Sequence, residues 1–153
     1  MLMKDEEIDE DVPSKKKKIF IVHGHDNEVK LEVARFIEKI GLEPIILHEQ
    51  VNSGMTVIEK IEKYSDVEFG IVLYTPCDLG YVKGKKKEKK ARARQNVVFE
   101  HGYLIGKLGR NNVCALVKGD IELPNDISGI VYIQLDSNGS WKIPLAKELK
   151  LCI

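Results

Sequence analysis

Glu100 stands early in the run RQNVVFEHGYLIGKLG (94–109), whose apolar positions Val97, Val98, His101, Leu104, Ile105 and Leu108 recur at helical spacing. On a wheel turning about 100° per residue, it falls about 40° beyond the edge of that stripe. A carboxylate there can line a pocket and stabilise positive charge developing on a ligand, or it can be an ordinary exposed glutamate. His23, Gly24, His25 and Asp26 form a second group. Gly24 permits a tight turn and close ligand approach, while Asp26 also suits the cap of a following helix. The two histidines invite a metal reading, but no Cys or Asp/Glu cluster completes a ligand set. The turn matches neither G-x-G-x-x-G nor the P-loop. The third group is KGKKKEKKARAR (83–94), with eight Lys/Arg and one Glu. It reads as a solvated loop, or as a surface that steers an anionic or phosphate-bearing ligand. Tyr81 is the sole aromatic beside it, which gives nucleic-acid binding little support.

The elements that position these groups follow from periodicity. IFIVH (19–23), PIILH (44–48), FGIVLYTP (69–76), NVCALVK (112–118) and IVYIQLD (130–136) read as five strands, several of them apolar on both faces. Helices are expected over 26–40, from Val57 to Tyr64, over 94–109 and over 143–150, with Gly41 and Gly109 as stops. The segment 77–94 reads as a long polar loop. Strands alternating with helices give an α/β, doubly wound, five-stranded parallel sheet of flavodoxin-like order 2-1-3-4-5.

In that order ligands sit beyond the carboxyl ends of the first and third strands. The crevice therefore sets HGHDN (23–27) against TPCDLG (75–80), with NSGMT (52–56) at its border. Candidate lining residues are His23, Gly24, His25, Asp26, Gly54, Thr56, Thr75, Pro76 and Asp78. Tyr74 and Tyr81 are candidate stacking surfaces, although Tyr74 also suits the core.

A chain of 153 residues with 43% apolar and 31% charged residues fits one ordinary domain. Its formal net charge of zero gives no global argument for nucleic acid or an anionic membrane. The apolar runs are far shorter than the roughly 20 residues of a membrane span. Residues 1–18, an acidic block followed by a basic one, are expected to be a disordered leader or linker rather than a secretory signal. The domain is expected over 19–153. Cys77, Cys114 and Cys152 show no paired spacing and read as reduced thiols of a cytoplasmic protein, with Cys114 in the core.

From about Ile19 to Lys150 the chain resembles the bacterial TIR-like family of predicted nucleotide-binding proteins, which includes effector domains of nucleotide-signalled antiphage defence. The likeness rests on IFIVHGHDN, SGMTVIEKIEKYSDVEFGIVLYTPCD and ARQNVVFEHGYLIGKLGR. It implies that Glu100 is the catalytic glutamate of an NAD glycohydrolase, that Asn96 belongs to the site, and that 51–56 is the loop gating the pocket. NAD would be the substrate, with no further cofactor or metal. Homotypic self-association and a fused or separate sensor domain are the implied partners. Alternatives are a non-catalytic interaction module and a nucleotide sensor without turnover. One carboxylate can suffice, because nicotinamide departs neutral from a cationic state and needs no general acid.

Overall fold

The structure, a computed structural model, describes residues 15–47, 54–125 and 129–150. In chain order the elements are β1 (Lys18–Val22), α1 (Asn27–Lys39), β2 (Glu43–Ile46), α2 (Val57–Tyr64), β3 (Phe69–Tyr74), β4 (Asp78–Gly80), β5 (Lys90–Arg92), α3 (Gln95–Leu108), β6 (Val113–Lys118), β7 (Val131–Leu135) and α4 (Lys142–Glu148). Five strands form one sheet in the order β2-β1-β3-β6-β7. Every adjacent pair is parallel, with Ile21 opposite Ile71 and Ile71 opposite Cys114 at the centre. Counting only these strands, the order is the expected 2-1-3-4-5.

Alternation along the strands divides the core between the two faces of the sheet. Ile19, Ile21, Ile71, Leu73, Cys114 and Leu116 point to one face, where Val33 and Ile37 of α1 and Leu145 of α4 cover them. Phe36 and Trp141 meet edge to face at 5.3 Å on the same side. Phe20, Val22, Val72, Tyr74, Ala115 and Val117 point the other way, against Ile61 of α2 and Val97 and Leu104 of α3. Each fully buried large apolar side chain contributes about 1.5–3 kcal/mol. β1 and β3 are covered on both faces, which accounts for their nearly continuous apolar sequences.

Two helix starts are fixed by side chains. Asp26 caps α1, accepting from the Val29 N–H at 3.1 Å. Thr56 and Glu59 form a reciprocal capping box on α2. The expected loop over 77–94 is corrected in part: it contains the antiparallel hairpin β4–β5, with Asp78 opposite Arg92 and Gly80 opposite Lys90. The strands are three residues long and lack apolar alternation, so backbone pairing rather than patterning holds them. The Arg92 guanidinium occupies the space over Gly80 that a Cβ would fill. The Glu122 N–H donates to the Ala91 carbonyl at 2.8 Å and ties the hairpin to the segment after β6.

The leader expected over 1–18 lies outside the described residues as far as position 14, and Lys18 already belongs to β1. Residues 51–53 of the gating segment and Cys152 also lie outside them. Cys114 is fully buried, and burial pushes its thiol up to about 12. Among the described residues no helix is long and apolar enough to cross a membrane.

Candidate functional site

A cleft of about 350 Å³ opens beyond the carboxyl end of β1. This is within the range of small-molecule sites. His23, Gly24 and His25 follow β1 and form one wall. Leu47, just after β2, adds an apolar surface, and Met55 and Lys60 enter from the α2 side. The beginning of α3 supplies Arg94, Asn96, Val97 and Glu100. The walls thus combine apolar surface with a carboxylate, two cations and an imidazole pair.

Glu100 is half-buried, and burial pushes its carboxyl up to about 7. The buried sector of α3 is centred on Val97, His101 and Leu104. Val98, counted in the apolar stripe from periodicity, is 39% exposed, so the helix is turned with its Glu100 side toward the cleft. Behind it His101 is buried and shares a hydrogen bond with the Tyr74 hydroxyl at 2.6 Å. Burial lowers His101 to about 4, so the imidazole is neutral at ordinary pH. The same burial raises the Tyr74 phenol and makes this ring core rather than a stacking surface. Tyr81 is exposed and does not line the cleft.

Arg94, the N-cap residue of α3, contacts the His25 ring nitrogen Nε2 and lies 3.7 Å from the Asp78 carboxylate. Among the described residues no side chain caps the start of α3, and its first turn carries no acidic residue. Its leading N–H groups therefore remain available beside Asn96 and Val97. Gly24 is closely packed: a Cβ built there would stand 2.9 Å from Cys77 Sγ. The absence of a side chain at this position lets β3's continuation pass beneath the cleft wall.

Of the residues expected from sequence, His23, Gly24, His25, Asn96 and Glu100 meet in the cleft. Asp26 does not, because capping α1 and pairing with Lys118 at 2.6 Å occupy its carboxylate. Burial pushes that carboxyl up, but Lys118 and the Val29 N–H outweigh it and hold it below the usual range. Thr56 is absent from the lining because its hydroxyl caps α2. Gly54 precedes that cap with φ of 75°, a conformation that favours glycine. Thr75 is buried with its hydroxyl 3.2 Å from Cys77 Sγ, and Pro76 points to solvent. Asp78 acts on the cleft through Arg94. Lys60, Arg94 and Leu47 were not foreseen as lining residues. Arg94 was hidden in a run of cations, and Lys60 resembled any polar position on an amphipathic helix.

A family model described as "CAP12/Pycsar effector protein, TIR domain" matches residues 18–137. The chain belongs to that TIR family. This TIR domain is 54% identical over 134 residues to the uncharacterized protein YuaY of Escherichia coli K12, covering 87% of this chain and 44% of the relative. It is 44% identical over 126 residues to protein tirC of Dictyostelium discoideum, covering 76% of this chain and 63% of tirC. It is 31% identical over 91 residues to CD-NTase-associated protein 12 of Flavobacterium daejeonense, covering 60% of this chain and 27% of that protein. The chain therefore spans less than two thirds of the length of each of these relatives.

Proposed function

We propose that this TIR domain binds NAD in the Glu100 cleft and cleaves the bond between nicotinamide and ribose. The observation that carries the reading is a half-buried carboxylate in a crevice at the carboxyl end of β1, in a TIR fold. As the bond to the pyridinium nitrogen breaks, its electron pair leaves with nicotinamide, which departs neutral. Positive charge builds on the ribose anomeric carbon, and the Glu100 carboxylate stabilises it. Water then adds to that carbon and releases a proton, giving ADP-ribose; attack by a nucleophile of the substrate itself gives a cyclic form. NAD serves as substrate, and the scheme needs no separate cofactor.

Membership of the CAP12/Pycsar family extends the proposal to antiphage defence, with self-association or a sensor domain switching the activity on. The deciding experiment incubates the protein with NAD over a hundredfold range of protein concentration and measures free nicotinamide. Release by the parent, rising per molecule with concentration and absent from Glu100→Gln, supports the reading. Equal release by Glu100→Gln assigns the chemistry elsewhere.

A further inference from the structure

Two cations reach the cleft from different elements: Lys60 from α2 and Arg94 from the start of α3. We infer that they form a diphosphate-binding subsite, so that the cleft selects dinucleotides over phosphate-free nicotinamide ribosides; this rests on the NAD reading of Glu100.

NAD carries a pyridinium cation at one end and two phosphate anions at its centre. The lining residues present the complementary set, one carboxylate and two cations. Lys60 is half-buried and makes no ion pair with a described residue, so no described carboxylate offsets its partial desolvation. A phosphate oxygen would offset it. Arg94 brings a planar fork suited to phosphate, and its contacts with His25 and Asp78 hold the side chain in place before a ligand arrives. Holding it in advance reduces the entropy lost on binding. The uncapped first turn of α3 adds backbone N–H donors on the same wall. A nucleoside without phosphates would engage neither cation.

The test uses ADP and adenosine as binding probes in calorimetry, and NAD and nicotinamide riboside as cleavage substrates. ADP is expected to bind at least about tenfold more tightly than adenosine. Lys60→Ala and Arg94→Gln, checked for folding by circular dichroism, should each weaken ADP by about tenfold or more. Each should raise KM for NAD by about tenfold or more, a loss well beyond any it causes on nicotinamide riboside. ADP affinity unchanged in both variants overturns the subsite, as does failure of the parent to bind ADP. Equal losses on NAD and nicotinamide riboside also overturn it, because the two side chains would then shape the pocket rather than grip phosphate. If ADP binding responds as expected while the parent releases no nicotinamide, the subsite stands and the cleavage reading falls.

Discussion

The Tyr74 hydroxyl on β3 lies 2.6 Å from Nδ1 of His101 on α3, one residue beyond Glu100. This bond joins a central strand to the helix that carries the carboxylate. Its members are buried, and His101 Nε2 has no hydrogen-bond partner among the described residues. Tyr74→Phe would leave both ring nitrogens of His101 unpartnered. A loss of about 1–3 kcal/mol is expected, read as a lower urea midpoint. An unchanged midpoint would show that the bond contributes nothing to stability.

The pH dependence of cleavage follows from the burial of Glu100. The carboxylate is the working form in the proposed step, and burial pushes its carboxyl up to about 7. kcat/KM for NAD should therefore rise through about pH 7 and level off above it. In the complex the cationic substrate favours the carboxylate, so the midpoint in kcat should lie lower. Initial rates from about pH 5 to about pH 9 check this, and a flat kcat/KM profile would exclude control by Glu100.

The same ionisation links stability to pH. The unfolded carboxyl titrates near 4.5 and the folded one near 7, so the folded state holds its proton more tightly. The resulting stability is fully present below about pH 4.5 and is lost as pH rises through about 7. Glu100→Gln cannot ionise and should escape the loss. At about pH 8 it should exceed the parent by about 1–3 kcal/mol, allowing for partial exposure, and match it near pH 4. Urea unfolding at both pH values is the check; a variant less stable than the parent at pH 8 would contradict it.

Gly24 and Cys77 make a coupled pair. A Cβ at position 24 would stand 2.9 Å from Cys77 Sγ, so Gly24→Ala forces the thiol or the cleft wall to move. The expected loss is about 1–3 kcal/mol, with slower NAD cleavage. Adding Cys77→Ala should recover most of the stability, a non-additivity that a double-mutant cycle measures. Equal losses in the single and double variants would place the strain elsewhere.

The main sheet was legible because its strands are short β-branched or apolar runs separated by helical spacing and turn residues. Ile19 to Val22 and Phe69 to Tyr74 leave little choice but burial on both faces. The β4–β5 hairpin was hidden by its lysines, since pairing of backbone groups leaves no mark on side-chain pattern. The crevice could be located from strand order, and His23, Gly24, His25, Asn96 and Glu100 do meet there. Asp26 and Thr56 were polar residues near the crevice whose side chains satisfy helix N–H groups instead. Lys60 was out of reach for another reason. Which face of α2 meets the cleft depends on how that helix packs on the sheet, a three-dimensional relation that one helix's periodicity does not contain.

The parallel pairing of the main sheet also governs how the molecule comes together in time. A parallel pair cannot be closed by a tight turn; it needs a crossover of about a dozen residues or more. Loop entropy is therefore lost before strand pairing returns anything. Among the described strands β4–β5 is the local exception, and an antiparallel hairpin can close in about 1–10 μs. Its closure leads directly into Arg94 and the start of α3. The opposite wall, His23 and Gly24, meets that helix only once β1 has docked beside β3. The cleft thus draws one wall from a local pairing and the other from a long-range one, and contact order leads to the expectation that the joining of β1 to β3 limits its assembly.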